Sequence, residues 1–137
     1  MTLGAEQAEH INIVNWFNYE FPELSEDLHH FANERKCSIQ QGRTLKRMGV
    51  KKGVADFFLA FPIGDYSGLW IELKVGKGKL SIEQSKFLFR KNERGYLSIA
   101  VWGFEAAKEV ILNYLKEYII TKSLIEQKNL YNGKPIC

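Results

Sequence analysis

The chain has 137 residues, a formal net charge of +3, and 45% hydrophobic and 13% aromatic content, which is ordinary for one globular domain with a buried core. We therefore predict a single domain over residues 1–137. No apolar run approaches the roughly 18 residues of a membrane span and the N-terminus lacks the features of a signal peptide, so we expect a cytosolic protein without membrane contact. Cys37 and Cys137 lack the spacing of a zinc site, and free thiols are expected.

The spacing of apolar and turn-forming residues predicts a mixed order of helices and strands, α-β-β-β-α-β-α. In chain order the predicted elements are a helix over about 5–19, short strands or loops at 28–33 and 37–39, a helical turn at 44–48, strand-like runs at 53–60 and 68–74, a helix over 81–95, a strand over 96–102, a helix over about 104–127 and a frayed tail over 129–137. Pro22 stops the first helix, and Ser81 with Gln84 has the pattern of a capping box. The turn-rich segment 62–68 predicts an antiparallel hairpin centred near Asp65.

Three charged residues, Asp56, Glu72 and Lys74, interrupt the two apolar strand-like runs. An ionised group removed from water is costly unless it is paired or binds a metal. Side chains alternate along a strand, so Glu72 and Lys74 should share one face, and the predicted hairpin places Asp56 roughly opposite Lys74. Two carboxylates and an ammonium in one cluster suit a hard divalent cation such as Mg²⁺. The alternative is a solvated pair on an exposed strand edge, with Asp56 at a turn.

Acidic and basic residues occupy separate segments of the chain, which the net charge of +3 does not reveal. Residues 1–34 contain seven acids and no Lys or Arg, and residues 35–52 then contain seven basic residues and no acid. The predicted DNA-binding residues are this basic block and two lysines after the second strand: Arg35, Lys36, Arg43, Lys46, Arg47, Lys51, Lys52, Lys77 and Lys79. Basic groups beside an acidic pocket suit a polyanion whose phosphates approach a metal. The alternatives are a solvated surface or a contact for an acidic protein partner.

Seven short motifs follow one another along the chain. They are Glu6 and Gln7, His30 to Glu34, Leu45 to Val50, Gly53 to Asp56, Ile71 to Lys74, Leu80 to Gln84, and Gly95 with Tyr96. Over roughly residues 6–102 the chain therefore resembles a virus-type replication-repair nuclease (VRR-NUC) domain of the PD-(D/E)xK superfamily, of the stand-alone phage or bacterial type. One position departs from the family, which commonly has Pro before its first acid where this chain has Ala55.

The resemblance implies a restriction-endonuclease-like α/β core, with a mixed β-sheet flanked by helices. It also implies that Asp56 and Glu72 bind one or two Mg²⁺ or Mn²⁺ ions, with Lys74 near the attacking water. The Leu73 carbonyl is a candidate backbone ligand, and Glu6 is a further implied ligand from the first helix. Considered without the resemblance, Glu6 is an acid at a helix N-terminus that the helix dipole stabilises.

Other residues near these motifs have two possible roles each. The family has a glutamine close to its active site at the position of Gln84, yet Gln84 is also the N3 residue of the capping box, and we expect one side chain not to do both. His29, His30 and Asn33 could approach DNA, although a structural role is favoured for each of them.

The expected function is that of a metal-dependent, structure-selective DNA endonuclease, with Holliday junctions or other branched DNA as its substrate. A symmetric four-way junction requires two active sites, so a homodimer is expected. Tyr114, Tyr118 and Ile119 on the last helix could form the dimer face or pack in the core. A monomeric nickase or flap nuclease and a catalytically silent DNA-binding module are the alternatives. The expected location is the cytoplasm of a bacterial or phage-infected host cell.

Overall fold

The computed structural model describes residues 3–32 and 37–133. Its elements, in chain order, are helix α1 (Ala5–Glu20), a 3₁₀ helix (Pro22–Asp27), strand β1 (Leu28–His30), helix α2 (Ile39–Arg47), strands β2 (Phe57–Leu59) and β3 (Leu69–Lys74), helix α3 (Ile82–Glu93), strand β4 (Leu97–Trp102), and helices α4 (Phe104–Tyr114) and α5 (Lys116–Gly133). The helical turn predicted at 44–48 belongs to the longer helix α2, which lies between the first two strands. None of the helices in the described ranges is both long and apolar enough to cross a bilayer.

The four strands form one mixed sheet in the order β1-β2-β3-β4. Strands β1, β2 and β3 pair antiparallel, whereas β3 and β4 pair parallel. A parallel pair requires a crossover connection, and helix α3 supplies it. The predicted α/β class, with a mixed sheet flanked by helices, is confirmed.

One face of the sheet carries the apolar core. The alternate residues Leu69, Ile71 and Leu73 of β3 are each at most 1% exposed. They belong to one continuous buried cluster with Ile13 and Phe17 of α1 and with residues of α4. This packing fixes α1 against the sheet and thereby sets the position of every side chain on that helix.

The opposite face of β3 carries Trp70, Glu72 and Lys74, as strand alternation requires. Trp70 stacks on Phe58 of β2, with 4.3 Å between ring centroids, and meets the edge of Phe87 of α3 at 4.9 Å. Helix α3 therefore lies on the face that also carries the charged residues.

The hairpin between β2 and β3 is antiparallel as predicted, but the predicted register is wrong by two residues. Phe57 pairs with Ile71, so the continued ladder places Asp56 opposite Glu72 rather than opposite Lys74. A shift of two residues keeps each side chain on its predicted face, because the strand repeat is also two residues. The charged cluster is therefore retained after the correction, and the charge of Asp56 acts on Glu72.

The shift has two causes in the connection between the strands. A bridge between Ile63 and Tyr66 closes the turn, so the turn is centred between Gly64 and Asp65 and not on Asp65, which accounts for one residue of the shift. Three residues separate Leu59 from Ile63, whereas two separate Tyr66 from Leu69. The extra residue before the turn displaces the pairing of the two strands by the second residue.

The C-terminal region forms two helices where one was predicted. The helix predicted over about 104–127 breaks at Leu115, and α5 continues to Gly133 through a segment that was predicted to be frayed. Leu115 is fully buried, and its N–H donates to the carbonyl of Ile111 at 3.0 Å. The break therefore keeps an apolar side chain in the core while its backbone stays hydrogen-bonded, and no Gly or Pro marks it in the sequence.

The residues considered for a dimer face pack against the core. Tyr114 is 6% exposed and donates its hydroxyl hydrogen to the Phe61 carbonyl at 2.7 Å. Tyr118 and Ile119 are partly buried against the same core. Of the two roles considered for these residues, a dimer face or core packing, the structure shows core packing. Cys37 is an exposed free thiol, and Cys137 lies outside the described residues.

Candidate active site

Hydrogen bonds to its backbone carbonyl and to its side chain hold Asp56 in place. Its carbonyl oxygen accepts hydrogen bonds from the N–H of Phe31 at 2.7 Å and from Nδ1 of His30 at 2.9 Å. Its Oδ2 accepts from the N–H of Leu73 at 2.7 Å. Because a carbonyl can only accept, Nδ1 of His30 is the donor in this bond. His30 is thus engaged in positioning Asp56, while His29 is exposed and Asn33 lies outside the described residues.

Glu72 is a buried carboxylate on β3, only 3% exposed. Its Oε1 accepts a hydrogen bond from Gln84 Nε2 at 2.8 Å and lies 3.7 Å from Lys74 Nζ. Its Oε2 is buried and has no hydrogen-bond partner among the described residues. Burial, and then the charge of Asp56, raises the pKa of Glu72 to about 7, although Lys74 opposes this shift.

Gln84 makes both of the contacts that we expected to exclude each other, so that expectation is wrong. Its Oε1 accepts from the Ser81 N–H at 2.8 Å, and its own N–H donates to Ser81 Oγ at 3.1 Å, which completes the capping box of α3. Its Nε2 donates to Glu72. The two ends of a carboxamide serve different partners, so one side chain both caps a helix and binds a carboxylate.

A further group of side chains reaches Asp56 from helix α1. One ligand atom each of Glu6, His10 and Asp56 lie within 4.8 Å of one another. Glu6 and His10 are one helical turn apart and share a face of α1, the face that also buries Ile13 and Phe17. The structure thus brings Glu6 to Asp56, and it adds His10, which sequence reasoning missed. The signal was available, because His10 follows Glu6 by four positions on the same stripe.

His10 faces a strongly negative surrounding. Its Nε2 lies 3.7 Å from Asp56 Oδ2 and is buried with no hydrogen-bond partner in the described part of the chain. Burial by itself lowers the pKa of His10. The Asp56 carboxylate, followed by the charges of Glu6 and Glu72, outweighs burial, so the pKa is raised above its ordinary value of 6.5.

The Leu73 carbonyl is directed toward Asp56 by strand geometry. The N–H and C=O of one strand residue point to the same side, and successive residues alternate. The Leu73 N–H points to Asp56, and the next carbonyl, that of Lys74, accepts from the Gly103 N–H at 2.9 Å on the β4 side. The Leu73 carbonyl therefore points away from β4, to the side on which Asp56 lies.

This donor set fits a divalent cation. Asp56, Glu72 and Glu6 offer carboxylate oxygens and Leu73 offers a carbonyl, which are the ligand types that Mg²⁺ and Mn²⁺ take. Glu72 Oε2 and His10 Nε2 are buried polar atoms without a hydrogen-bond partner among the described residues. Such atoms are costly to a fold, and a bound cation is a partner that both could use.

The described members of the predicted DNA-binding set are all exposed. Arg43, Lys46 and Arg47 lie on α2, Lys51 and Lys52 follow it, and Lys77 and Lys79 lie in the loop after β3. A hydrogen bond from Trp102 Nε1 to the Gly78 carbonyl, at 2.8 Å, holds that loop. Arg35 and Lys36, which were also predicted, lie outside the described residues. The exposed charges are available to a polyanion.

Comparison with known proteins supports the fold. A solved structure described as a "VRR_NUC domain protein" is similar to this chain, with a TM-score of 0.73 and 25% sequence identity over 85% of this chain and 92% of that chain. No family model matches the chain, and no curated protein matches it. The motifs, the mixed sheet and this structural likeness agree with one another. The chain therefore has the VRR-NUC domain fold, the fold of a nuclease family.

Proposed function

We propose that this protein is a metal-dependent nuclease that hydrolyses phosphodiester bonds in DNA. The observation that carries the proposal is the buried Glu72 carboxylate near Asp56, with one oxygen that no described residue satisfies. Two close carboxylates repel phosphate unless a cation accompanies them, so DNA binding without catalysis does not account for them. The likeness to a VRR-NUC domain protein adds a nuclease fold to this chemistry.

The proposed metal ligands are Asp56, Glu72, the Leu73 carbonyl and Glu6. When bound, Mg²⁺ or Mn²⁺ offsets charge on the phosphate and lowers the pKa of water. Gln84 and Lys74 both contact Oε1 of Glu72, which leaves Oε2 for the ion. A hydrogen-bonded and ion-paired Oε1 also favours the charged carboxylate that a metal requires.

Lys74 is proposed to act at the reacting phosphate. Its side chain is 18% exposed, and its ammonium lies 3.7 Å from the Glu72 carboxylate, so the charge is next to the proposed metal ligands without being sealed from solvent. A positive charge in this position orients the attacking water and offsets the negative charge that develops on the phosphate oxygens. Lys74 and Glu72 are two residues apart on β3, and their strand fixes this arrangement.

The basic residues of α2 and of the loops after α2 and β3 are proposed to hold the DNA backbone. Their exposure and common sign suit a sequence-independent contact with phosphates. Because such contacts carry no base information, we expect the shape of the DNA to determine substrate choice.

The proposed substrate is branched DNA, with the Holliday junction first. Cleavage of a symmetric junction needs two sites, so we propose a homodimer, acting in the cytoplasm of a bacterial or phage-infected cell. A monomeric nickase or flap nuclease is the alternative within the same chemistry.

A substrate panel tests this proposal. Labelled four-way junction, flap, single-stranded and linear duplex DNA are incubated with the protein and Mn²⁺, beside the Glu72→Gln variant, and solution mass is measured by light scattering. Paired symmetric nicks in the junction from a dimer are the expected result. Preferred cutting of linear duplex would overturn the choice of branched DNA, and no cutting of any substrate would overturn the nuclease.

A further inference from the structure

His10 and Glu6 form a pair on α1 that resembles a ligand pair by geometry alone. They are four residues apart, so their side chains lie one above the other on the same helical face. Their ligand atoms and one of Asp56 lie within 4.8 Å of one another, which is close enough for a single ion to contact all three. Asp56 is thereby common to this group and to the cluster that contains Glu72.

Packing fixes the orientation of the His10 ring. The ring meets the edge of Phe57 at 5.3 Å between centroids and lies 4.9 Å from the His30 ring. In this position Nε2 is buried and directed at carboxylates, but its 3.7 Å distance to Asp56 Oδ2 is too long for a hydrogen bond. A buried imidazole nitrogen held beside two carboxylates, yet bonded to neither, has the arrangement of a ligand.

We propose that His10 binds the metal through Nε2, together with Glu6 and Asp56, and that this nitrogen makes the site favour first-row transition ions, Mn²⁺ included, over Mg²⁺. Mg²⁺ demands oxygen ligands in near-ideal octahedral geometry, whereas an imidazole nitrogen suits the transition ions. The inference rests on the proposed function only in placing the nuclease metal at this site.

The competing explanation is a charged His10 that forms an ion pair with the carboxylates and binds no metal. The two explanations differ in one atom-level property, which is direct bonding between Nε2 and the ion. The chain has three histidines, and His29 is exposed on β1, so it provides a matched control for His10.

Pulsed electron paramagnetic resonance of bound Mn²⁺ detects such a bond as modulation from the imidazole ¹⁴N nucleus. We expect this modulation in the wild type and in His29→Gln, and its loss in His10→Gln. Labelling of histidine with ¹⁵N in the wild type should change the modulation pattern without any substitution. Absence of histidine modulation in the wild type, or its persistence in His10→Gln, overturns the proposal.

Calorimetric titration with Mn²⁺ and with Mg²⁺ tests the selectivity. We expect wild-type protein to bind Mn²⁺ at least about tenfold more tightly than Mg²⁺. His10→Glu turns the group into an all-oxygen set and should reduce that ratio by raising the affinity for Mg²⁺. Equal affinities in the wild type, or an unchanged ratio in His10→Glu, contradict the inference.

These readouts separate the inference from the proposed nuclease function. DNA cleavage with no Mn²⁺–histidine bond refutes the role of His10 and leaves the nuclease intact. A Mn²⁺–histidine bond without DNA cleavage establishes the metal site and refutes the nuclease.

Discussion

Gln84 donates from Nε2 to Glu72 Oε1 at 2.8 Å while its Oε1 accepts from the Ser81 N–H at the start of α3. One side chain thus joins the N-terminus of a helix to the buried carboxylate of a strand. The position of α3 and the ionisation of Glu72 are therefore coupled.

Replacement of Gln84 by Ala should lower the free energy of unfolding by more than the loss of a helix-cap contact alone. The variant loses the cap contact from the Ser81 N–H to Gln84 Oε1, a hydrogen bond worth about 1 kcal/mol, and it also loses the hydrogen bond from Gln84 Nε2 to Glu72 Oε1. We expect a lower free energy of unfolding and a lower cleavage rate, measured by chemical denaturation and single-turnover kinetics. Gln41 is the matched control, since it makes the same two cap contacts with Ser38 on α2. Equal effects of Gln41→Ala and Gln84→Ala on cleavage would show that Gln84 only caps its helix.

Gly53 should be sensitive to a single added methyl group. Its φ is +82°, and a Cβ there would lie 2.5 Å from the Glu83 carbonyl carbon and 2.8 Å from the Gln84 backbone nitrogen. Gly53→Ala should therefore displace the start of α3 and lower both stability and cleavage. Gly49 has a similar φ of +96° with nothing within 4 Å of an added Cβ. Gly49→Ala should cost about 1–2 kcal/mol from backbone strain alone and leave the cleavage rate of folded protein unchanged. Thermal unfolding with single-turnover kinetics separates these outcomes, and equal losses of activity would contradict the account.

The stability of the metal-free protein should depend on pH through Glu72. Its pKa is about 7 in the folded protein against an ordinary 4.5, so the folded state binds this proton more tightly than the unfolded state. The resulting stability is complete below about pH 4.5 and is lost as pH rises through about 7, with a total of at most about 3 kcal/mol.

Denaturation in EDTA across this pH range checks the sign. The free energy of unfolding of wild type minus that of Glu72→Gln should fall between pH 4.5 and 7, because the glutamine does not titrate. At pH 8 the variant should be the more stable protein without metal. A difference that is constant with pH would mean that Glu72 is not perturbed.

Removal of the exposed charges on α2 should weaken DNA binding in a salt-dependent way. For the triple variant Arg43→Ala, Lys46→Ala, Arg47→Ala we expect the slope of log K against log salt for duplex arms to decrease by about 0.9 for each phosphate that the variant no longer neutralises. Fluorescence anisotropy at several salt concentrations gives the slope. Lys116→Ala with Lys128→Ala, on the exposed side of α5, is the control and should leave the slope unchanged. An unchanged slope in the triple variant would exclude α2 from the DNA surface.

The sequence predicted the part of the site whose side chains are placed by the alternation of residues along a strand. Glu72 and Lys74 share a face because they are two residues apart, and Asp56 keeps its face through a register error of two residues. His10 was missed although it follows Glu6 by four positions on the same helical stripe, because only the folded chain brings Asp56 beside it. The prediction for Gln84 was wrong because it assigned the side chain a single partner, whereas the oxygen and the nitrogen of the amide contact different residues.

The fold was predictable in its main elements, and the prediction failed where a feature depends on tertiary structure. Periodicity located α1, β2, β3 and β4, and the capping pattern located α3, whereas β1 was predicted only as a strand or loop and α2 only as a helical turn. The break at Leu115 could not be predicted, because no local breaker such as Gly or Pro marks it in the sequence. The hairpin register depended on the centre of the turn and on one extra residue in the connection, which are properties of three-dimensional turn geometry.

The most direct test of the central claim is cleavage of a labelled four-way junction with Mn²⁺ by wild type, Asp56→Asn and Glu72→Gln, with DNA binding measured in parallel. Glu83→Gln, at an exposed acid of α3, is the matched control. The account predicts a loss of at least about 100-fold in the single-turnover rate for the two site variants, with DNA affinity retained and the control unaffected. Wild-type cleavage rates in Asp56→Asn or Glu72→Gln would contradict it.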